Sequence, residues 1–355
     1  MRLASAGGVR MGLNELWFVL ITISFAGFFF FESFSFGVGI LMQWMGRNDD
    51  EKKLIIHSLE PVRGANEGWL IIAGGAMLAA FPQAYAAMFG YYSALLLSVA
   101  ALLIRGVAIN LRNRLEKPAW LKTWNLLLGI TSLLIPFLLA VALASLLVGV
   151  PINAEKEYVG SFFDLLSLPA LCYGLDLVVF FLYHGAVFLN LKLQGEMLDR
   201  AYIAAVRTGR LALVTSLLIA ITAALTTSIF TGPVSNALTM TGMMTLLLSF
   251  VCMRRRRSSL AFILNEASII AVIAALFTAL YPRVMVSSLN ESFSLTIYNI
   301  SSSPYALKVM TIAVLTLVPV LFLYTAWAYH VFRRRITVST EHLLEGSGYT
   351  GETSV

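Results

Sequence analysis

The chain of 355 residues is 59% hydrophobic and only 12% charged, and its mean hydropathy is +0.82. Soluble globular proteins are about 45–50% apolar and about 25% charged, so this composition excludes a soluble protein with an ordinary polar surface. The net charge of +6 is scattered over short connecting segments, and we therefore expect no nucleic-acid partner. The composition predicts an all-α integral membrane protein.

Nine apolar stretches are long enough to cross a bilayer, which takes about 20 helical residues. The predicted spans are 14–45, 53–81, 85–109, 123–149, 163–191, 200–230, 237–253, 260–281 and 306–332. The second span is the weakest prediction, because its first half is polar. We expect one membrane domain over 14–335, with a polar lead at 1–13 and a disordered cytoplasmic tail at 336–355.

Lysine and arginine concentrate in every second connection between the predicted spans. The clusters follow spans three, five, seven and nine, and they include Arg112 and Arg114, Lys192 and Arg200, Arg254–Arg257, and Arg333–Arg335. The positive-inside rule places these segments in the cytoplasm. The N-terminus is then outside and the C-terminus inside, which an odd number of spans satisfies. The outer loop 282–304 is expected to be an exposed lid or a contact surface.

Ionisable side chains inside apolar stretches are functional candidates, because a charge placed there costs about 2.5–3.5 kcal/mol on insertion scales. The residues are Glu32, Glu60, Arg63, Glu67, Arg105, Asp176 and His184. Helical spacing puts Glu32 on one face with Ser35 and Gly39. Two interpretations of Glu32 stay open: a proton-conducting carboxyl, or a neutral hydrogen-bonded side chain that holds two helices together.

The polar start of the second span has a similar ambiguity. Glu60, Arg63 and Glu67 recur on one face, and Arg63 can pair with either acid. The group is interpreted as a water-accessible proton route or as a structural ion pair near the membrane edge. Pro61 is expected to kink the helix and to leave the carbonyl of His57 without its helical partner.

The later candidates, like Arg63 and Arg105, are interpreted as structural ion-pair or packing residues. Asp176 lies two turns before His184 and is expected on a similar face. His184 could ligate haem iron, but a lone histidine in an apolar helix is more often a packing residue. Cys172 and Cys252 have no metal or redox spacing. The chain also lacks a P-loop, a nucleotide fingerprint and His-Glu-x-x-His, so no catalytic, cofactor or metal centre is predicted in this chain alone.

Short motifs along the chain give a more specific indication. They are Arg47-Asn48-Asp49, Ala65-Asn66-Glu67, Ala73-Gly74-Gly75-Ala76, Arg105-Gly106-Val107-Ala108, His184-Gly185-Ala186, and Ser301 to Thr311 followed by Pro319 and Trp327. Taken in this order, the motifs resemble subunit II of the cytochrome bd-type quinol oxidases over nearly the whole chain.

The resemblance implies an architecture and a role. The architecture is two four-helix bundles, at 14–149 and 163–281, with a ninth helix at 306–332. The role is that of a subunit, inactive alone, in a complex that oxidises membrane quinol, reduces oxygen to water and generates a membrane potential. Haem b and haem d would be held by the partner subunit I. Other implied partners are the lipid of a bacterial cytoplasmic membrane, the quinone pool and, in some complexes, a small single-helix accessory subunit.

Departures from the family pattern concern acids. Members usually carry an acid at three positions that are neutral here: Ser35, Gly64 and Asn110. Because these side chains cannot take up and release a proton, a proton path through this chain depends on one of the remaining acids: Glu32, Glu60 or Glu67. Two alternatives stay open. The chain could be an assembly partner that has lost proton function, or a secondary transporter, although no clear inverted repeat is seen.

Overall fold

The computed structural model describes residues 12–90, 92–112, 114–115, 117–227, 229–230 and 232–331. The helices are α1 Leu13–Met45, α2 Asp49–His57, α3 Glu60–Ala80, α4 Pro82–Gly90, α5 Tyr92–Arg112, α6 Pro118–Val148, α7 Leu168–Lys192, α8 Gly195–Thr226, α9 Pro233–Arg254, α10 Ser258–Leu280 and α11 Pro304–Val331. Two short strands, β1 Arg283–Met285 and β2 Leu295–Thr296, pair antiparallel. Single 3₁₀ turns occur at Phe162–Leu165 and Glu291–Phe293.

The prediction of an all-α membrane protein is confirmed. Within the described residues, seven helices are long and apolar enough to cross a membrane, namely α1 and α6 to α11. The predicted count of nine is not confirmed, because α3 and α5 are not among these seven. In α3 only Gly68–Ala80 forms an apolar stretch, which is shorter than a full span.

The second predicted span, 53–81, is wrong at its start. It consists of two helices, because α2 ends at His57 and α3 begins at Glu60. Pro61 lies in the first turn of α3. The missing N–H of a proline is not needed in the first turn, so Pro61 begins a helix instead of kinking one.

Other boundaries also differ from the prediction, and three of them have a clear local reason or size. The connection expected at 82–84 is the start of α4, since a proline is well suited to the first position of a helix. The fifth span begins at Leu168, after a 3₁₀ turn, because the side chain of Ser167 caps the first turn of α7. The sixth predicted span corresponds to α8, which starts at Gly195, five residues before the expected residue 200.

Helix α1 lies at the centre of the protein. It packs against α3, α6, α7 and α10, and most of its residues from Phe28 to Met42 are buried. A helix that is apolar on all sides is expected in such a central position. At Gly37 an added Cβ would overlap the carbonyl oxygen of Phe181, so α1 and α7 cross with their backbones in contact. Because α1 contacts both α6 and α7, the division into two bundles at 14–149 and 163–281 stays a proposal.

The two loops predicted to lie outside pack together. The hydroxyl of Ser287 donates to the carbonyl of Ile152 at 2.8 Å, and Nζ of Lys156 donates to the carbonyl of Ser292 at 2.8 Å. Leu295 in β2 is fully buried. The loop 282–304 is therefore an ordered cap with a buried inner side and an exposed outer side. The described residues include only residues 12 and 13 of the predicted lead at 1–13. The predicted tail at 336–355 lies outside them.

Candidate functional site

Glu32 of α1 and Arg105 of α5 form a buried ion pair. Nη1 of Arg105 lies 3.3 Å from Oε2 of Glu32, and the two side chains are 1% and 0% exposed. Arg105 also donates from Nη2 to Oγ of Ser35 at 2.5 Å and from Nε to Oγ of Ser132 at 3.2 Å. Its guanidinium lies over the ring of Phe36, 4.7 Å from the centroid. Arg105 therefore connects α1, α5 and α6 and compensates a buried carboxylate.

The helical repeat of α1 positions one side of this site. Glu32 and Ser35 are one turn apart, so both reach Arg105. Gly39 lies one turn further, and an added Cβ there would overlap the hydroxyl of Ser132 on α6. Sequence spacing predicted the shared face of α1. It could not predict the partner, because Arg105 follows Glu32 by 73 residues.

A second buried polar cluster lies two turns along the same helices. Nε of Arg112 donates to Oδ1 of Asn125 at 2.6 Å, and its Nη2 donates to the carbonyl of Asp49 at 3.1 Å. Nδ2 of Asn125 donates to Oδ1 of Asp49 at 3.3 Å. The Arg112 side chain is 1% exposed and that of Asp49 is 51% exposed. The second cluster therefore lies between the partly exposed Asp49 and the first cluster, from which it is separated by two helical turns.

The start of α3 is only partly described. Glu60, Arg63 and Glu67 belong to α3, but their side chains lie outside the described part of the structure. The buried Asn66 donates from Nδ2 to the carbonyl of Phe31 at 2.7 Å. This hydrogen bond fixes α3 against α1 close to Glu32.

Asp176 and His184 of α7 face different neighbours. Oδ1 of Asp176 accepts hydrogen bonds from Thr215 at 2.6 Å and Ser216 at 3.1 Å, both on α8. His184 faces α10, where its Nε2 lies 3.2 Å from Oε1 of Glu266. The expectation of a similar face is wrong, because eight residues advance an α-helix by about 80° beyond two full turns.

Glu266 was not among the predicted site residues. The signal was present, since Glu266 is an acidic residue within the apolar stretch 260–281. A charge inside an apolar span is by itself a functional candidate. The partner could not be read from the sequence, because His184 and Glu266 meet only when α7 packs against α10.

His184 does not fit the role of a haem ligand. Its Nε2 is close to the Glu266 carboxyl, and its ring packs 4.8 Å from the Phe262 ring and 6.0 Å from the Phe34 ring, measured between centroids. An axial ligand needs an open side for the flat macrocycle at its coordinating nitrogen, and at Nε2 the Glu266 carboxyl lies in that place. Among the described residues, no group of three or more His, Cys, Asp or Glu is placed to hold a metal ion.

An apolar cavity of about 170 Å³ lies between α6, α7, α8, α9 and α10. Its walls are mainly aliphatic and aromatic, and the polar side chains that line it include Asp176, Ser216 and Ser268. Such walls suit an apolar chain better than a charged small molecule.

Charged side chains meet at one end of the helices. Nη1 and Nη2 of Arg200 donate to Oε2 and Oε1 of Glu51 at 2.8 and 2.6 Å. These hydrogen bonds from Arg200 hold the pKa of Glu51 below its usual value. Nη1 of Arg47 lies 2.6 Å from Oε1 of Glu196 in a more exposed pair. The connections before α2 and before α8 are therefore joined at the same end of the protein.

These features define a class. The chain is a multi-pass α-helical membrane protein with acid–base pairs buried between its helices. Intramembrane pairs of this kind occur in proteins that move charges or protons and in subunits that are locked together by polar contacts.

Comparison with known proteins identifies the family. The family described as cytochrome bd terminal oxidase subunit II matches residues 13–332. The chain belongs to this family, as the resemblance of its motifs implied, and it is a multi-pass bacterial membrane protein.

Individual relatives agree along nearly their whole length. The chain is 35% identical over 328 residues to cytochrome bd ubiquinol oxidase subunit 2 of Bacillus subtilis (strain 168), covering 92% of this chain and 97% of the relative. It is 31% identical over 361 residues to cytochrome bd-I ubiquinol oxidase subunit 2 of Escherichia coli (strain K12), covering 92% and 95%. The fold is similar to a chain in the structure of bd oxidase from Geobacillus thermodenitrificans, with a TM-score of 0.68, 22% identity, and coverage of 88% and 98%.

Proposed function

We propose that this chain is the second subunit of a bd-type terminal oxidase that oxidises membrane quinol and reduces oxygen to water. The observation that carries the proposal is the family match over residues 13–332. The names of the relatives from Bacillus subtilis and Escherichia coli, both ubiquinol oxidase subunits, support the same activity. In this proposal the chain acts in the complex and not alone, because its relatives are named as subunits of an oxidase.

The partner in this proposal is the haem-bearing subunit I. Haem b and haem d belong to that partner, in agreement with the poor fit of His184 to a haem-ligand role. The chain lies in the cytoplasmic membrane and exchanges quinol with the membrane pool. Its N-terminus is outside and its C-terminus is in the cytoplasm, which is supported by the ion-paired basic segments at one end of the helices. A small accessory subunit is compatible with this arrangement.

The experiment that tests the function uses the complex purified through a tag on this chain. A reduced-minus-oxidised absorption spectrum is expected to show haem b and haem d, and added quinol is expected to drive oxygen uptake. A preparation that keeps a second large subunit but shows neither haem nor oxygen uptake would contradict the proposal. Transport assays in vesicles would then test the alternative of an ion-coupled carrier.

Within this function, we propose that the carboxyl of Glu32 takes part in proton transfer. Two observations support the role: Glu32 is fully buried, and a second polar cluster on α5 and α6 lies two turns away, on the side of Asp49. Glu60 and Glu67 stay candidates for the same path on sequence grounds. Arg63, Asp176 and His184 are assigned structural roles.

The test of Glu32 is a rescue experiment. Glu32→Gln is expected to lower quinol-dependent oxygen uptake at least tenfold while both haem spectra stay unchanged. Ser35 also contacts Arg105, so Ser35→Asp added to Glu32→Gln places a carboxyl in the same pocket and is expected to restore part of the rate. Ser35→Asn in the same background is the matched control, because it has the shape of Asp but cannot release a proton. An unchanged rate in Glu32→Gln would eliminate the role.

A further inference from the structure

A second acid–base pair is buried on the other side of the protein centre. Nε2 of His184 on α7 lies 3.2 Å from Oε1 of Glu266 on α10, and the two side chains are 0% and 6% exposed. The adjacent residue Asn265 is also fully buried. This pair is separate from Glu32 and Arg105, which lie between α1 and α5.

Polar atoms at this place lack protein partners. Within the described part of the chain, no hydrogen bond is made by either ring nitrogen of His184, by Oε2 of Glu266, or by either amide atom of Asn265. Burying such atoms without partners is costly, because each group loses its hydrogen bonds to water. Buried polar groups in folded proteins are nearly always satisfied by protein atoms or ordered water. The unsatisfied atoms of Asn265, Glu266 and His184 lie close together and therefore indicate bound water.

The surroundings restrict the charge that the pair can carry. The imidazole of His184 packs against the rings of Phe34 and Phe262, and Phe188 stacks on Phe34 with the centroids 4.3 Å apart. An imidazolium and a carboxylate among these rings would both lose their hydration. A neutral carboxylic acid that donates to a neutral imidazole needs one proton at Oε1 and separates no charge. Nε2 and Oε1 lie 3.2 Å apart, so this hydrogen bond forms once the carboxyl turns its O–H toward Nε2.

We propose that Glu266 is a neutral carboxylic acid that donates a hydrogen bond to His184, and that ordered water beside Asn265 exchanges its proton. The site is thus a buried proton- and water-binding site between α7 and α10. It does not depend on the quinol oxidase activity, because every group involved belongs to this chain.

Infrared spectroscopy tests the proposal on the assembled complex. The complex is immobilised in lipid and perfused first with H₂O buffer and then with D₂O buffer at constant acidity. In the wild type, a band in the carbonyl-stretch region of protonated carboxylic acids is expected to shift to lower frequency in D₂O. This band should be absent from Glu266→Gln and present in Asp176→Asn, which removes a half-buried carboxyl on α7, the helix that also carries His184. In His184→Gln the band should persist at a different frequency, because the acceptor of the hydrogen bond has changed.

Each outcome decides one part of the site. Identical difference spectra for the wild type and Glu266→Gln would overturn the neutral acid. A Glu266 band that His184→Gln does not move would overturn the pairing, and a band that D₂O does not shift would overturn the water. If Glu266→Gln fails to assemble, Glu266→Asp is used instead. The shorter side chain keeps the acid but lies further from His184, so the frequency of its band must change. Assembly is monitored by the yield of the complex, so a failed oxidase assay does not affect this test.

Discussion

At the scale of single residues, the buried site around Arg105 combines an acid with two hydroxyls. Among the described side chains, Arg105 contacts the carboxylate of Glu32 and the hydroxyls of Ser35 and Ser132. An acid at Ser35 would add a negative charge beside Glu32. With serine, Arg105 can pair with Glu32 at this place without a second carboxylate competing for it.

A double-mutant cycle tests this pairing. Arg105→Leu leaves the Glu32 carboxyl buried without its cation, and removal of one partner from a buried pair costs about 3–5 kcal/mol. We expect a clear fall in the thermal midpoint of the purified complex. Adding Glu32→Gln to Arg105→Leu should raise the midpoint again, because the unpaired charge is gone. Strictly additive effects of the two substitutions would show that the side chains do not interact.

At the same residues, the sequence predicted which side chains share a helix face but not which partners they contact. The spacing of Glu32, Ser35 and Gly39 was sufficient to place them on one side of α1, because helix periodicity is local. The partner Arg105 and the pairing of His184 with Glu266 depend on which helices pack together, and no local pattern determines that. Asp176 and His184 were wrongly expected on a similar face of α7. Eight residues rotate an α-helix by about 80° beyond two full turns, so the two side chains have different neighbours.

At the scale of elements, the crossing of α1 and α7 depends on glycine. A Cβ at Gly37 would overlap the carbonyl of Phe181, and a Cβ at Gly185 would lie 2.5 Å from the backbone nitrogen of Val38. Small residues let membrane helices approach until their backbones touch. The aromatic packing around His184 requires this approach, because Phe34 of α1 reaches α7 and α10 only at short range.

We expect Gly37→Ala to separate the two helices. Overpacking costs about 1–3 kcal/mol, and a clash with rigid backbone belongs at the upper end of that range. The measurements are the thermal midpoint and the yield of the complex, both of which should fall. Gly75→Ala on α3 is the matched control, since no heavy atom lies within 4 Å of its added Cβ and alanine favours a helix by up to about 1 kcal/mol. Equal effects of the two substitutions would contradict the proposed crossing.

The short helix α2 is held to α8 by a hydrogen-bonded ion pair with a defined dependence on pH. Both side chains, Glu51 and Arg200, are 17% exposed. Because hydrogen bonds from Arg200 lower the pKa of Glu51 below 4.5, the pair stabilises the folded state above that pH. The contribution is lost as the pH falls through the lowered pKa.

Glu51→Gln is therefore expected to reduce stability by about 1 kcal/mol at neutral pH. The difference in thermal midpoint from the wild type should stay constant from about pH 8 to about pH 5 and shrink below about pH 4.5. Glu196→Gln is the control, because its pair with Arg47 is 68% and 65% exposed and should contribute nothing measurable. A difference that grows as the pH falls would contradict the assignment.

At the scale of the whole molecule, composition and hydropathy were sufficient for the class, and motif order was sufficient for the family. The number of spans could not be predicted in the same way. A window of apolar residues does not separate a spanning helix from one that is half polar, such as α3. The break between α2 and α3 was missed for a related reason. Pro61 fits either a kink or a helix start, and only the backbone around Ser58 decides between them. The ordered cap over 282–304 was missed because it forms by packing against the distant loop 150–162.

The orientation of the whole chain is open to a direct test. We expect the cap formed by 150–162 and 282–304 to face outward and the ion-paired end to face the cytoplasm, because lysine and arginine concentrate in cytoplasmic connections. Cys172 and Cys252 are first replaced by serine. Glu155→Cys, at an exposed position of the cap, should then react with a membrane-impermeant maleimide in intact cells. Lys122→Cys, at an exposed position near the start of α6, should react only after the cells are opened. The reverse pattern would invert the topology. Asp49 on α2 and the start of α6 lie at the same end of the protein. The side from which protons approach Glu32 through Asp49 would then be inverted as well.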